Sequence, residues 1–257
     1  MELYHTDIAS SDPALLERAT RTAEEFAGRY RVPGVAGICF LGSVARGYFD
    51  RHADIDVALF TGTGFDTASV PLFQRADGFE VHCHVSRLVD ETAATWDTAR
   101  RWTYSECRIF HDPDGRIAEL LREKVPLRPD ERRWLLISGI TLSEWYINRL
   151  TVLWVERGSI ASAHGMFARG LDHFHDMLFS LNDRLVADHK WRCFAAERLP
   201  LLPTDFRARM EDVTLVYALT VDDLARRREA FMAMWREMLP LVERDVGMGY
   251  EEFKDTV

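Results

Sequence analysis

The stretch "GICFLGSVARGYFDRHADIDVALF", residues 37–60, contains the pattern on which the prediction of fold and function depends. Its first apolar run ends in Gly42-Ser43, and about ten residues later a second apolar run contains Asp54 and Asp56. Side chains alternate along a β-strand, so the two aspartates project from one face and their apolar neighbours from the other. One face therefore suits a protein core, and the opposite face carries paired carboxylates.

A later strand-like run, "FEVHCHV" at residues 79–85, shows the same alternation and places Glu80 on its polar face. If the two strands are neighbours in one sheet, Glu80 comes close to Asp54 and Asp56. Crowded carboxylates repel each other in a partly desolvated site unless a cation neutralises them. Few oxygen ligands with open positions suit Mg²⁺ that is shared with substrate phosphates. The pattern predicts phosphoryl-group chemistry with two metal ions bound by these carboxylates.

The Gly-Ser pair supplies the second half of such a site. At a strand end leading into a short helix, Gly42 allows the backbone to approach a ligand, and the exposed N–H groups bind anions. The Ser43 hydroxyl adds a hydrogen bond to a phosphate oxygen, and Arg46, one turn farther on, offers a positive charge to a leaving group.

Alternative interpretations exist for the later strand. Glu80 would have no catalytic part if a half-exposed strand simply displays its polar side chains to solvent, and Asp66, the nearest substitute, lies in a predicted loop. The neighbouring His82 and His84 are interpreted as polar surface residues rather than metal ligands. His173 is not assigned to a zinc site with the other histidines of its predicted helix, because residues two apart on a helix point to different sides.

The composition of the 257-residue chain is that of a soluble globular protein, with 47% hydrophobic and 28% charged residues. No apolar run approaches the length of a membrane span and the first residues do not form a signal peptide, so we expect a cytoplasmic protein. Four dispersed cysteines indicate reduced core residues. The formal net charge of −9 disfavours nucleic acid and favours a small-molecule partner.

The predicted secondary structure changes in character near residue 120. Before it, strand-like runs alternate with helical stretches, including one predicted over residues 88–107. After it, the pattern is helical almost to the end and includes a long helix predicted over residues 160–188. This predicts an α+β domain over residues 1–120, a small mixed sheet with flanking helices, followed by an all-α helical bundle over residues 121–257. The helical domain would bind the acceptor or form a homodimer, and the sequence leaves both open.

The motif "LGSVARGYFDRHADIDVALF" resembles the signature of the DNA polymerase β-like nucleotidyltransferase superfamily, and Phe79-Glu80-Val81 is similar to its third-carboxylate strand. The resemblance implies a nucleoside triphosphate donor, most simply ATP, two Mg²⁺ ions, and pyrophosphate as product. The domain order resembles the antibiotic nucleotidyltransferases, which modify a hydroxyl of an aminoglycoside or lincosamide and whose activity confers antibiotic resistance. In that branch the helical domain supplies a carboxylate as general base and a lysine for the triphosphate, for which Glu144 and Lys190 are the candidates.

Two other functions remain open. Nucleotidyltransferases also occur with HEPN-type helical partners in toxin-antitoxin systems that modify a protein or RNA. The HEPN pattern of Arg followed by His is matched by Arg169 with His175 and by Arg184 with His189. A non-catalytic nucleotide-binding relative is the third interpretation, but it would be expected to have lost an aspartate or the Gly-Ser pair, and this chain retains both.

Overall fold

The computed structural model describes residues 11–257, in which a mixed α+β region with a five-stranded sheet is followed by a helical region. The predicted fold class is confirmed. The chain divides into two compact units, Met1–Pro126 and Leu127–Val257.

The sheet of the first unit has five strands: β1 (Val35–Leu41), β2 (Ile55–Thr61), β3 (Phe73–Ala76), β4 (Phe79–Arg87) and β5 (Arg108–His111). Their order across the sheet is β3-β4-β2-β1-β5. β2 and β4 are parallel, and the other neighbouring strands are antiparallel. Because β2 and β4 are neighbours in this order, the face that carries the aspartates of β2 lies beside the face that carries Glu80 of β4.

Five helices accompany this sheet: α1 (Pro13–Gly28), α2 (Gly42–Arg46), α3 (Leu88–Ala93), α4 (Thr98–Ser105) and α5 (Arg116–Lys124). α1 begins after Asp12, whose carboxylate accepts hydrogen bonds from two backbone N–H groups of the first turn. One face of the sheet is buried against α1. The other is buried against residues of α3, α4 and α5. Both faces of β1 are therefore apolar, as the continuous run "VAGICFL" predicted.

The first unit extends to Pro126, whereas the domain boundary was predicted at residue 120. The difference arises from α5, which packs on β1. A Cβ at Gly37 would lie 2.1 Å from Cγ1 of Ile117, so the helix lies directly over the strand at that position. The whole of α5 thus belongs with the sheet.

Two local elements differ from the sequence prediction. The helix expected over residues 88–107 is two helices, because the Asp97 carboxylate accepts a hydrogen bond from the Arg100 N–H and begins α4 anew. The short strand β3 was not predicted. It joins β4 through Asp77-Gly78, both with positive φ, as a two-residue hairpin turn requires.

The second unit contains seven α-helices within the described part of the chain: α6 (Pro129–Glu144), α7 (Thr151–Glu156), α8 (Ile160–Leu181), α9 (Arg192–Ala196), α10 (Phe206–Thr214), α11 (Val221–Val246) and α12 (Tyr250–Phe253). A π-helical segment, Trp145–Leu150, joins α6 to α7. A Cβ at Gly139 would lie 2.7 Å from the backbone nitrogen of Met177, so α6 and α8 pack backbone against backbone. Over residues 11–257, none of the helices combines the length and apolar character needed to cross a membrane.

Candidate active site

The Gly-Ser turn and the Asp-x-Asp pair meet at one end of β1 and β2. In the antiparallel register Leu41 pairs with Asp56, so the turn begins beside that aspartate. Gly42 has φ of +56°, and a Cβ at this position would lie 2.5 Å from Oδ2 of Asp56. Only glycine permits this approach together with this backbone conformation. The structure therefore brings together the two motifs that the sequence separates by about ten residues.

The helix that follows the turn carries Ser43 and Arg46. Ser43 is buried in the first turn of α2. Arg46 lies over the Trp102 ring, 3.8 Å from its centroid, and its Nε donates to Oε2 of Glu106 at 3.0 Å. The Glu106 side chain is 60% exposed, and an ion pair with an exposed partner contributes at most about 1 kcal/mol. An incoming phosphate can therefore compete with Glu106 for the guanidinium.

Both aspartates lie beside histidines of the parallel strand β4. Nε2 of His82 is 3.7 Å from Oδ2 of Asp54, and Nε2 of His84 is 3.4 Å from Oδ1 of Asp56. The hydrogen bond with Asp56 raises the pKa of His84, because the carboxylate stabilises the imidazolium form. The alternation of the sequence placed these histidines on the carboxylate face but gave no sign of which side chain each would reach. The strand register of β2 and β4 supplies that missing fact.

Glu80 lies on the same face of β4, one residue before the paired Val81 and Ile55. Its Oε1 accepts a hydrogen bond from Nη2 of Arg75 at 2.6 Å. Both side chains are well exposed, so this ion pair is also weak. Glu80 is thus near the position predicted for the third carboxylate, but it is paired with a cation of β3.

The donor set at Asp54 and Asp56 fits a divalent cation that is bound jointly with a ligand. Within residues 11–257, no three His, Cys, Asp or Glu side chains form a group able to hold a metal ion on their own. Mg²⁺ at nucleotide sites is typically held by one or two carboxylates together with substrate phosphates. Because the Gly42 backbone lies against the Asp56 carboxylate, a phosphate bound at the turn would be close to any cation that this carboxylate holds.

The two site residues predicted in the helical region belong to the second unit. Glu144 is the last residue of α6, and its Oε1 accepts a hydrogen bond from Nδ2 of Asn148 at 2.7 Å. Lys190 is exposed in a turn between α8 and α9, where its backbone N–H donates to Oδ1 of Asp188. Their roles as general base and triphosphate ligand stay predictions.

The first Arg–His pair of the HEPN interpretation includes a buried histidine. His175 lies in the core of the second unit, its Nδ1 donates to the Leu171 carbonyl at 2.9 Å, and burial lowers its pKa to about 4. A neutral, enclosed imidazole is poorly placed to act on RNA from solvent. The second pair, Arg184 and His189, is exposed.

No protein-family model matches the chain, and no curated protein matches it. A solved structure, described as a nucleotidyltransferase-like protein from Exiguobacterium sibiricum 255-15, is similar to this chain with a TM-score of 0.44 and 14% sequence identity. The match covers 89% of this chain and 77% of that one. With a similarity of this degree, the functional interpretation depends on the arrangement of the Gly-Ser turn and the aspartates.

Proposed function

We propose that this chain is a metal-dependent nucleotidyltransferase that moves a nucleoside monophosphate, AMP from ATP, to a hydroxyl group of a small molecule and releases pyrophosphate. The observation that carries the proposal is the contact between the Gly42 backbone and the Asp56 carboxylate. A turn suited to phosphate and a carboxylate pair suited to a cation share one end of two adjacent strands.

Each part of the site has a role in binding the donor. The β and γ phosphates lie against the N–H groups of Gly42 and Ser43. Asp54 and Asp56 would hold one Mg²⁺ together with the phosphates, and Glu80 would hold a second ion if its carboxylate moved from Arg75. Bound Mg²⁺ neutralises the triphosphate and stabilises the entering and leaving oxygens of an in-line displacement.

The chemical step is a displacement at the α-phosphorus of ATP. The acceptor hydroxyl oxygen forms a bond to this phosphorus while the bond to the bridging oxygen of the β-phosphate breaks. The hydroxyl proton passes to a carboxylate, for which Glu144 is the candidate base. Pyrophosphate leaves with the electron pair of the broken bond, and Arg46, released from Glu106, stabilises its charge. Positioning and electrostatic stabilisation account for most of the acceleration.

The acceptor is a small polar molecule of the aminoglycoside or lincosamide kind. The net charge of −9 supports this choice, because it disfavours a polyanionic nucleic acid and favours a neutral or cationic acceptor. Modification of such an antibiotic would confer resistance on a cell that makes the protein.

The test is mass spectrometry of mixtures that contain the protein, Mg²⁺, one nucleoside triphosphate and one acceptor from a panel of aminoglycosides, lincosamides, short RNAs and proteins. We expect an antibiotic whose mass rises by one nucleoside monophosphate, together with pyrophosphate. Asp56→Asn should abolish the product, and Asp90→Asn, the same change at an exposed residue of α3, should not. A protein that binds ATP but modifies no member of the panel would contradict the proposal.

A further inference from the structure

We infer that the cation at the two aspartates has a nitrogen ligand: His84 coordinates it together with Asp56, and the site therefore prefers Mn²⁺ to Mg²⁺. The inference rests on the proposed function, because it presupposes a divalent cation at Asp54 and Asp56. It assigns to His84 a role that its sequence position, in a half-exposed strand, did not indicate.

The distance between the two side chains fits shared coordination. Nε2 of His84 is 3.4 Å from Oδ1 of Asp56. Two neighbouring ligands that each lie about 2.1 Å from one octahedral cation are about 3.0 Å apart. The two atoms would have to come closer by about 0.4 Å, which a small rotation of the exposed His84 side chain can supply.

The strand pairing fixes this geometry. In the parallel register Asp56 pairs with His82, and Ala58 pairs with His84. His84 therefore reaches back along its strand to contact Asp56, although its side chain is 62% exposed and has solvent available to it. An exposed imidazole that turns to a carboxylate is positioned by that carboxylate. The same carboxylate lies against the phosphate-binding turn at Gly42.

The neighbouring groups of this face have other partners. Glu80, the third carboxylate expected from the sequence, is paired with Arg75 at 2.6 Å. His82 is farther from its aspartate, at 3.7 Å, and its ring packs edge-on against Phe73 at a centroid distance of 5.2 Å. Of the two histidines, His84 is the nearer to a carboxylate oxygen.

Ligand chemistry then determines the preference between Mn²⁺ and Mg²⁺. Mg²⁺ favours oxygen ligands, whereas the first-row transition metals also bind imidazole nitrogen. A site in which the His84 imidazole and the Asp56 carboxylate are completed by triphosphate oxygens therefore binds Mn²⁺ in preference to Mg²⁺. Loss of the imidazole should weaken Mn²⁺ binding by about tenfold or more and reduce the preference for Mn²⁺ over Mg²⁺.

The experiment is pulsed electron paramagnetic resonance of Mn²⁺ bound to the full chain with ATP. The protein carries isotopically labelled histidine, so that its imidazole nitrogen is distinguished from the nitrogens of adenine. We expect coupling of Mn²⁺ to histidine nitrogen in the wild type, and its loss in His84→Ala together with the weaker Mn²⁺ affinity. His111→Ala, which changes a histidine of β5 that pairs with Ile38 of β1, is the matched control and should retain both.

Two further variants make the outcomes distinguishable. His84→Asp replaces nitrogen by oxygen, and should bind the cation without histidine coupling and with greater relative affinity for Mg²⁺. One outcome contradicts the inference alone: the wild type binds Mn²⁺ with ATP and Asp56→Asn abolishes this binding, but no coupling to histidine nitrogen is seen. In that case the proposed function stands. If the wild type binds Mg²⁺ with ATP but no Mn²⁺, the inference alone is wrong. If it binds neither cation with ATP, the proposed function fails, and the inference fails with it.

Discussion

An alanine at position 42 would disturb the contact on which the proposed function depends. Its Cβ would lie 2.5 Å from Oδ2 of Asp56, in a backbone conformation with φ of +56°. Non-bonded carbon and oxygen atoms are normally about 3.5 Å apart, so the carboxylate must move by about 1 Å. The left-handed backbone adds a cost of about 1–2 kcal/mol for a residue with a Cβ.

Gly42→Ala should therefore lower both stability and activity. We expect the free energy of unfolding to fall by about 1–2 kcal/mol from the backbone conformation alone. Displacement of a positioned catalytic group by about 1 Å costs about a hundredfold in rate, so turnover of ATP should fall by that factor.

Gly47→Ala separates these two effects. Gly47 has φ of +70°, and a Cβ there would have no atom within 4 Å. This variant should show a similar loss in urea denaturation but retain most of the turnover. Equal turnover in the two variants, measured as metal-dependent pyrophosphate release, would refute the conclusion that Gly42 is glycine because of Asp56.

Three other predictions concern residues outside the site. The pKa of His175 is about 4 in the folded chain and 6.5 in the unfolded chain, so the unfolded state binds more protons between these values. The free energy of unfolding should therefore fall by about 3 kcal/mol as the pH is lowered through this window. In urea denaturation His175→Gln should show a much smaller fall, and a variant with the same pH dependence as the wild type would contradict this. The hydrogen bond from the Cys39 thiol lowers the pKa of Cys107, so Cys39→Ala should slow the alkylation of Cys107 by iodoacetamide at pH 8 severalfold, measured by peptide mass spectrometry. An unchanged rate would show that the two thiols do not interact. Gly139→Ala should destabilise the second unit by about 1–3 kcal/mol, because the added Cβ clashes with the backbone of α8. Gly165→Ala, whose Cβ would meet no atom within 4 Å, should be neutral or stabilising. Equal effects of the two substitutions in thermal unfolding would contradict this packing.

The sequence predicted those features of the first unit that depend on local alternation. Asp54, Asp56 and Glu80 were assigned to polar strand faces from side-chain periodicity alone, and the structure has these faces side by side. The position of Gly42 beside Asp56 was expected from the motif, but the close approach of their atoms required the antiparallel register of β1 and β2.

Features that depend on strand order and register were not predictable. The pairing of His84 with Asp56 follows from β2 and β4 being parallel neighbours, which no local pattern of either strand reveals. The partner of Glu80 is an arginine of β3, a strand that was not predicted. The Asp77-Gly78 dipeptide, a strong hairpin signal, could have revealed it.

The C-terminal end of α8 is set by side-chain hydrogen bonds that the sequence did not reveal. The second unit's longest predicted segments were helical as expected, but α8 ends at Leu181 rather than at residue 188. There the Asn182 side chain donates hydrogen bonds to the carbonyls of Leu178 and Leu201 and accepts one from the Leu201 N–H. The next residue, Asp183, has a positive φ. The contact with Leu201 is distant in the sequence, so periodicity could not have located this end.

The most direct test of the central claim is to follow the phosphates of ATP during turnover, using ATP with radiolabel at either the α or the γ phosphorus and the acceptor found by the panel. If nucleotidyl transfer occurs at the site of Asp54 and Asp56, the α label should pass to the acceptor and the γ label should leave in pyrophosphate. Both transfers should require the divalent cation, and neither should occur in Asp56→Asn. Transfer of the γ label to the acceptor, or transfer of the α label that survives in Asp56→Asn, would contradict the proposed reaction and its site.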